Sequence, residues 1–289
     1  MGIAVNITRD SIGLDKEFDE LLIILNTAGE LVKKLDSDFV TFYQSSNFGE
    51  LDSTFYDRYS NYEIGVLLKA IFDEGIGQAA TSQNTEENIS NILQTNSGID
   101  DEMQHLLLSI NEHPFLDEIA HLVVVTEKNI VFWASNLLKT LNCDDALLGE
   151  YLESIFANLL YHKDFNSLSK VKGGFRNFQK EIVNFLHTLN FFELNDGSIQ
   201  EEVKEINAKV THVFCEEGGA KSKRAQDELK REFIFENKKY SSVNCEFHYK
   251  LENIDDQKGG EHFKNRIYVG FIKSGNLKKI GIAHIGFHL

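Results

Sequence analysis

The runs CEFHYKL (residues 245–251), RIYVGFI (residues 266–272) and KIGIAHIGFHL (residues 279–289) decide the fold of the C-terminal part of the chain. Apolar and polar side chains alternate along each run, which is the period expected of a half-buried β-strand. Polar or glycine-containing segments separate the runs, as turns separate the strands of an antiparallel sheet. We therefore expect an antiparallel sheet of at least three strands, beginning near residue 232.

Upstream of this region, from residue 15 to about residue 212, apolar residues recur at helical spacing. In EFDELLIILNTAGELVKKL (residues 17–35), Phe18, Leu21 and Leu25 lie near one face. Similar patterns recur in NYEIGVLLKAIF, EMQHLLLSI, PFLDEIAHLVVV, NIVFWASNLLKTL, ALLGEYLESIFANLLY, FRNFQKEIVNFLHTLNFF and EEVKEINAKV. The fold class predicted is α+β, with an acidic α-helical domain over residues 1–213 and a C-terminal α+β domain over residues 214–289.

The composition is that of an ordinary globular protein, since 42% of the 289 residues are hydrophobic and 26% are charged. Disordered, collagen-like and disulfide-stapled classes are excluded. Cys143, Cys215 and Cys245 are widely spaced, which fits neither a zinc finger nor a disulfide framework and favours reduced thiols in the cytoplasm. We see no secretory signal and no apolar stretch of the ~20 residues that a membrane span needs. We expect a soluble, cytoplasmic protein.

Charge is distributed unevenly along the chain, whose formal net charge is −16. Residues 214–289 hold 14 Lys and Arg against 11 Asp and Glu, a net of +3, and residues 1–213 hold 15 against 34, a net of −19. RNA can therefore approach the C-terminal part, although it is repelled by the chain as a whole. The acidic domain is predicted to be regulatory: its carboxylates compete with RNA until a protein partner draws it away. The alternative is that the acidity only serves solubility.

Alternation along the strands divides the C-terminal side chains into two faces. The apolar face is predicted to carry Phe247, Tyr249, Leu251, Ile267, Val269, Phe271, Ala283, Ile285, Phe287 and Leu289. The other face is predicted to carry Glu246, His248, Lys250, Arg266, Tyr268, His284 and His288. Gly281 and Gly286 are expected to leave open space beside this second face.

The second face is suited to phosphodiester cleavage without a metal or other cofactor. Because histidine titrates near neutral pH, one imidazole among His248, His284 and His288 can take a proton from a 2′-hydroxyl while another donates to the leaving oxygen. Lys250 and Arg266 would stabilise the charge on the five-coordinate phosphate. Such a reaction needs the 2′-hydroxyl and therefore acts on RNA.

Tyr268 and Glu246 complete the predicted site as substrate-binding residues. The alternative for the whole face is an ordinary exposed sheet surface with solvated side chains and partly packed histidines. A zinc shell of His284, His288, His248 and Glu246 is a chemical rival, but positions four apart on a strand lie ~13 Å apart unless the strand bends at Gly286. A further alternative is a non-enzymatic adaptor that binds a protein partner through its helical domain.

The ending HYKL, RIYVGF and KIGIAHIGFHL resembles a C-terminal module that recurs in uncharacterised bacterial proteins, some regarded as phage-defence or toxin-like. The resemblance covers about residues 245–289. A strand that starts with an arginine, a turn and a final hydrophobic strand are also similar to the RelE-like toxins, a family of small ribosome-dependent or free endoribonucleases. Arg266 matches the basic residue that these toxins place on the sheet, whereas the excess of histidines and the long helical body depart from their pattern. The resemblance implies a toxin-like endoribonuclease.

Overall fold

The computed structural model describes residues 1–100, 103–110, 117–163, 165, 168–216, 229–251 and 265–288. The α-helices are α1 (Arg9–Ile12), α2 (Phe18–Leu35), α3 (Ser53–Arg58), α4 (Asn61–Phe72), α5 (Glu86–Thr95), α6 (Glu127–Leu138), α7 (Asp145–Ile155), α8 (Gln179–Asn190) and α9 (Ile199–Asn207). Short 3₁₀ helices span Gly75–Gln78, Asp117–Leu122, Leu168–Lys170 and Phe175–Phe178.

The strands are β1 (Gly2–Ile7), β2 (Val40–Gln44), β3 (Ala80–Thr81), β4 (Ile99–Asp100), β5 (Met103–Leu108), β6 (Val123–Val124), β7 (Leu160–Tyr161), β8 (Phe214–Glu216), β9 (Lys230–Phe235), β10 (Lys238–Asn244), β11 (Phe247–Lys250), β12 (Asn265–Ser274) and β13 (Leu277–Phe287). The protein is therefore of mixed α+β class. The chain divides into two compact units, Met1–Ala134 and Ser135–Leu289.

The first unit contains a mainly parallel sheet. Strands β3, β2, β1 and β5 lie side by side in that order and run parallel, β6 extends the sheet from β5, and β4 pairs antiparallel with β5. All six residues of β1 are buried. Helix α2 buries Leu21, Leu25 and Ala28 along one face, as its period predicts.

The prediction of an all-helical body over residues 15–212 is wrong for the first unit. The segment EMQHLLLSI, predicted as a helix, forms β5, and the helix predicted in PFLDEIAHLVVV gives a 3₁₀ helix and β6 in its described part. The physical reason is burial on both faces. Central strands of a parallel sheet are continuous apolar runs without alternation, and the sequence of a short buried helix looks the same. Strand β1 lies upstream of residue 15 and was not predicted.

The second unit is built on a five-stranded sheet in the order β7-β13-β12-β11-β8. Strand β7 runs parallel to β13, whereas the other neighbours are antiparallel. The predicted antiparallel sheet of at least three strands is thus confirmed. The predicted apolar face of this sheet packs on α8, where the ring of Phe185 stacks on that of Tyr249 with a centroid distance of 4.0 Å.

The β9–β10 hairpin covers the second sheet face. Phe233 of β9 shares a buried cluster with Leu160, Tyr268 and Ala283. Ala283 was predicted to lie on the opposite, apolar face. It lies on the Tyr268 face because the β12–β13 register shifts between Tyr268 and Val269, which is a β-bulge that adds one residue to β13.

The division into units differs from the predicted boundary at residues 213 and 214. Strand β7 and helix α8, both inside the predicted helical domain, contribute to the sheet and core that contain the C-terminal strands. Redistributing the charges places 7 Lys and Arg against 23 Asp and Glu in the first unit, a net of −16, and 22 against 22 in the second. Most of the acidity thus belongs to the parallel-sheet unit, while residues 135–213 of the second unit carry a net charge of −3.

The charged segment AKSKRAQDELKREF (residues 220–233) also has the composition of a helix, and most of it lies on residues 217–228, outside the described residues. Within the described part of the chain, no helix is both long enough and apolar enough to span a bilayer.

Candidate functional site

Four aromatic side chains meet on the second face of the C-terminal sheet, with Tyr268 at the centre. The ring centroid of Tyr268 lies 5.6 Å from that of His248, 6.1 Å from that of His284 and 6.3 Å from that of His288. The centroids of His248 and His288 are 6.5 Å apart. We call His248, Tyr268, His284 and His288 the ring cluster.

Strand register explains three of these four positions. His248 of β11 and His284 of β13 are both direct partners of Tyr268 of β12, so the three side chains stand on neighbouring strands of one face. His288 follows the end of β13, and its ring also approaches Tyr268 and His248. The carbonyl oxygen of Phe287 lies 3.1 Å from His284 Nε2, which ties the end of the strand to the cluster.

The two glycines of β13 do not leave open space, contrary to the prediction. A Cβ atom added to Gly281 would lie 2.6 Å from the Phe233 ring. A Cβ atom added to Gly286 would lie 2.8 Å from Lys170 Cβ and 2.9 Å from His284 Nε2. Both positions hold glycine because another group already occupies the space that a side chain would need.

The ring cluster is buried, and packed histidines fit both the predicted site and the alternative of an ordinary sheet face. The exposed fraction is 4% for His248, 1% for Tyr268 and 6% for His284. His288 is half-buried and forms the most accessible part of the cluster. A substrate group would therefore meet His288 first.

Hydrogen bonds orient two of the imidazoles. His248 Nδ1 lies 3.4 Å from the carbonyl oxygen of Glu246, and His248 Nε2 lies 3.8 Å from the sulfur of Cys215 on β8. If Nδ1 donates to the carbonyl, Nε2 carries the lone pair that a general base needs. Burial lowers the pKa of His284; the Phe287 carbonyl acts against this shift, and the positive charge of Lys170 adds to it.

The two cations of the predicted site, Lys250 and Arg266, lie on the same strands as His248 and Tyr268. Lys250 of β11 and Arg266 of β12 are direct partners. Each lies two residues along its strand from His248 or Tyr268, so both point to the same sheet face as the ring cluster. Arg266 is 9% exposed and donates from Nη1 to the carbonyl oxygen of Asn265. Lys250 is half-buried.

Glu246 is oriented differently from the other predicted residues. Its carboxylate accepts a hydrogen bond from Asn244 Nδ2, and its backbone carbonyl oxygen lies 3.4 Å from His248 Nδ1. Burial raises the pKa of this carboxyl group, and the nearby charge of Glu216 adds to the shift. The described contacts of Glu246 thus run from its carboxylate to Asn244 and from its backbone to His248.

The zinc alternative gains no geometric support. Among the residues that the structure describes, no three His, Cys, Asp or Glu side chains are grouped so that they could hold a metal ion. The ring cluster has Tyr268 at its centre, where a shared ion would have to bind.

Three residues beside the cluster were not predicted from the sequence. Cys215, interpreted as an ordinary thiol, pairs with His248 across β8 and β11. Lys170 and Arg231 lie close enough to His284 for their charges to lower its pKa. The alternation of Phe214 and Cys215 would have placed Cys215 on the histidine face once β8 was recognised, whereas nothing local in the sequence marks Lys170.

A second crevice lies at the carboxyl ends of the strands in the first unit. Strand order reverses between β1 and β5, and ligands of open parallel sheets bind at such a point. A cavity of about 390 Å³ lies there, and its described charged lining residues are Arg9, Asp10, Asp15, Glu50, Asp52 and Arg58. Arg9 is already paired with Glu86 at 3.0 Å. With more carboxylates than guanidinium groups, this cavity disfavours a phosphate ligand.

Comparison of the chain with protein-family models, curated proteins and solved structures gives no match. The assignment of a function therefore rests on the geometry and chemistry of the ring cluster.

Proposed function

We propose that the ring cluster cleaves RNA without a metal ion, by helping the 2′-hydroxyl of one nucleotide to attack the phosphorus of the adjacent phosphodiester. The observation that carries this proposal is the 6.5 Å separation of the His248 and His288 rings on a face that also holds Lys250 and Arg266. Two imidazoles at this separation can lie on opposite sides of one phosphate, so that one accepts a proton while the other donates one.

We assign His248 as the general base and His288 as the general acid. His248 Nε2 takes the proton of the 2′-hydroxyl, and the 2′-oxygen forms a bond to phosphorus. The bond from phosphorus to the 5′-oxygen breaks, and that oxygen takes a proton from His288. The products are a 2′,3′-cyclic phosphate and a 5′-hydroxyl. Arg266 and Lys250 stabilise the negative charge on the five-coordinate phosphorus.

His284 and Tyr268 support this pair. Since burial lowers the pKa of His284, its ring stays neutral near pH 7 and adds no positive charge beside His288. Tyr268 contacts all three imidazoles and fixes their relative positions. An RNA-cleaving protein of this kind would act as a toxin-like effector, which is also what the predicted resemblance of residues 245–289 implies.

The test is cleavage of a 5′-labelled oligoribonucleotide by the full chain, with chelator present. We expect His288→Ala and His248→Gln to lower the rate by at least ~100-fold, because general acid–base catalysis contributes ~10²–10⁴-fold. His121→Ala, which removes an exposed histidine of the first unit, is the control and should cleave normally. His288 is half-buried, so its replacement leaves the sheet core intact, and thermal melting of each variant checks this.

Cys215→Ala separates this mechanism from one that uses the thiol. With His248 as base, the variant should keep cleavage within a few-fold of the natural chain. Loss of activity to the level of His248→Gln would instead identify the Cys215 thiol as the reacting group. If the full chain leaves all RNA intact, both as purified and on expression in cells, the proposed function is wrong.

A further inference from the structure

Cys215 and His248 form a thiol–imidazole pair at one end of the C-terminal sheet. Cys215 of β8 is the direct strand partner of His248 of β11, and its sulfur lies 3.8 Å from His248 Nε2. Strand β8 is the last in the strand order of this sheet. Cys215 is half-buried, whereas His248 is 4% exposed. Of the two residues, Cys215 is therefore the one that solvent and small solutes reach.

The imidazole of His248 is oriented to accept the thiol proton. Its Nδ1 lies 3.4 Å from the carbonyl oxygen of Glu246, and a proton on Nδ1 leaves a lone pair on Nε2, the nitrogen next to the sulfur. Transfer of the thiol proton to Nε2 gives a thiolate beside an imidazolium ion. The thiolate is the reactive form of cysteine, and a positively charged histidine beside the sulfur stabilises it.

The other two cysteines have surroundings that disfavour the thiolate. Burial raises the pKa of Cys143, and the carboxylate of Asp144 adds to this shift, although Arg176 acts against it. Burial raises the pKa of Cys245 to about 12, and this residue is 1% exposed. The chain thus contains two internal references against which the reactivity of Cys215 can be measured.

We propose that Cys215 is a reversible oxidation site whose sulfenic acid form stops cleavage at the ring cluster. The oxidation rests on the thiol–imidazole pair alone. Its effect on cleavage rests on the proposed function, in which His248 is the general base. The oxidant is a hydroperoxide, the reductant is a small thiol, and sulfenic acid is the first and reversible step of cysteine oxidation.

The oxidation transfers two electrons from sulfur to the hydroperoxide. The Cys215 thiolate attacks the terminal peroxide oxygen, so that a sulfur–oxygen bond forms and the oxygen–oxygen bond breaks. The leaving hydroxide or alkoxide takes the proton that His248 had accepted, which gives water or an alcohol. For the return, one small thiol displaces the sulfenic oxygen as water and forms a mixed disulfide. A second small thiol attacks that disulfide and releases the Cys215 thiol.

Oxidation changes the group that faces the general base. A thiol is a weak hydrogen-bond donor, so a 2′-hydroxyl can displace it from His248 Nε2. The O–H group of a sulfenic acid is a stronger donor and extends the Cys215 side chain by one oxygen atom. Nε2 is then occupied by this hydrogen bond, and the proton of the 2′-hydroxyl has no acceptor.

The first test maps sulfenic acids in the natural full chain. The protein is treated with hydrogen peroxide in the presence of dimedone, which traps sulfenic acids, and each cysteine is analysed by mass spectrometry. We expect Cys215 to be labelled at least ~10-fold faster than Cys143 or Cys245. His248→Gln should lower the labelling of Cys215 to about that of Cys143, and the control His121→Ala should leave it unchanged. Equal labelling of Cys143 and Cys215 in the natural chain overturns the oxidation site.

The second test measures RNA cleavage after hydrogen peroxide and again after dithiothreitol. The natural chain should lose cleavage by at least ~10-fold on oxidation, because the general base contributes ~10²–10⁴-fold, and should regain it with the thiol. Cys215→Ala should cleave RNA equally well before and after peroxide. The matched control Cys143→Ala, which removes the other half-buried cysteine, should lose and regain cleavage as the natural chain does. Thermal melting of the oxidised chain shows whether it stays folded.

The outcomes separate this proposal from the proposed function. A chain that is labelled at Cys215 and cleaves RNA equally well before and after oxidation overturns the regulation and leaves the proposed function intact. Preferential labelling of Cys215 in a chain that cleaves no RNA supports the oxidation site and overturns the proposed function. Peroxide inhibition that persists in Cys215→Ala overturns the assignment of the regulation to Cys215.

Discussion

Replacement of Gly281 by alanine tests how the hairpin covers the candidate site. Gly281 lies in β13 beneath Phe233, and an added Cβ would approach three ring atoms of Phe233 at 2.6, 2.6 and 3.0 Å. The ring is 1% exposed and packs among Leu160, Tyr268 and Ala283, so it has no space to move into. We expect Gly281→Ala to push β9 away from the sheet and to disturb the ring cluster below it.

The magnitude follows from overpacking of a buried core. Inserting one methyl group into a well-packed interior costs ~1–3 kcal/mol. For a unit of the size of Ser135–Leu289, each kcal/mol lowers the melting temperature by ~2–4 °C, so we expect a decrease of ~2–12 °C. Phe233→Leu should relieve the clash, and the double variant should be more stable than the sum of the two single changes by ~1 kcal/mol.

The assay is calorimetric melting of the full chain, which separates the transitions of the two units if they unfold at different temperatures. Gly65→Ala is the matched control: Gly65 lies within α4, where an added Cβ meets no atom within 4 Å, and the substitution should raise stability by ~0.5–1 kcal/mol. An unchanged or higher melting temperature for Gly281→Ala would refute the close contact between Phe233 and the sheet.

Three further predictions concern buried ionisable groups. Because burial lowers the pKa of His284, the unfolded chain binds a proton at this residue at a higher pH than the folded chain does. The free energy of unfolding should therefore fall as pH drops below ~6.5. Denaturant titrations should show that His284→Gln flattens this pH dependence. Glu202, 1% exposed, is paired with Lys273 at 2.8 Å, so Lys273→Met should cost ~3 kcal/mol by urea unfolding, and adding Glu202→Gln should restore most of it. Burial raises the pKa of Cys245 to about 12, so iodoacetamide at pH 8 should leave it unmodified until the protein is denatured, as mass spectrometry can show.

Strands β11, β12 and β13 could be predicted because each carries a period-two pattern. The histidine face followed directly from that alternation, and His248, Tyr268 and His284 indeed stand on neighbouring strands. Alternation failed at Ala283 because a bulge depends on the pairing of two strands and not on the sequence of one.

Burial and long-range contacts could not be predicted in the same way. The cover over the ring cluster comes from β9, and Lys170 reaches Gly286 from more than a hundred residues upstream. In the first unit, β1 and β5 are buried on both faces and so lack the pattern that distinguishes a strand from a helix. The predicted acidic domain also combined the first unit, which has a net charge of −16, with residues 135–213 of the second unit, which have a net charge of −3.

The central claim is that the ring cluster cleaves RNA through the 2′-hydroxyl, with His248 and His288 as the proton-transferring pair. The most direct measurement uses an oligoribonucleotide that the full chain cleaves at a mapped position, together with the same strand carrying one 2′-deoxy nucleotide there. The account predicts a 2′,3′-cyclic phosphate end from the first strand, no cleavage at the deoxy position of the second, and cleavage of the first strand at least ~100-fold slower with His288→Ala. Cleavage at the deoxy position, or a 3′-hydroxyl product, would contradict the claim.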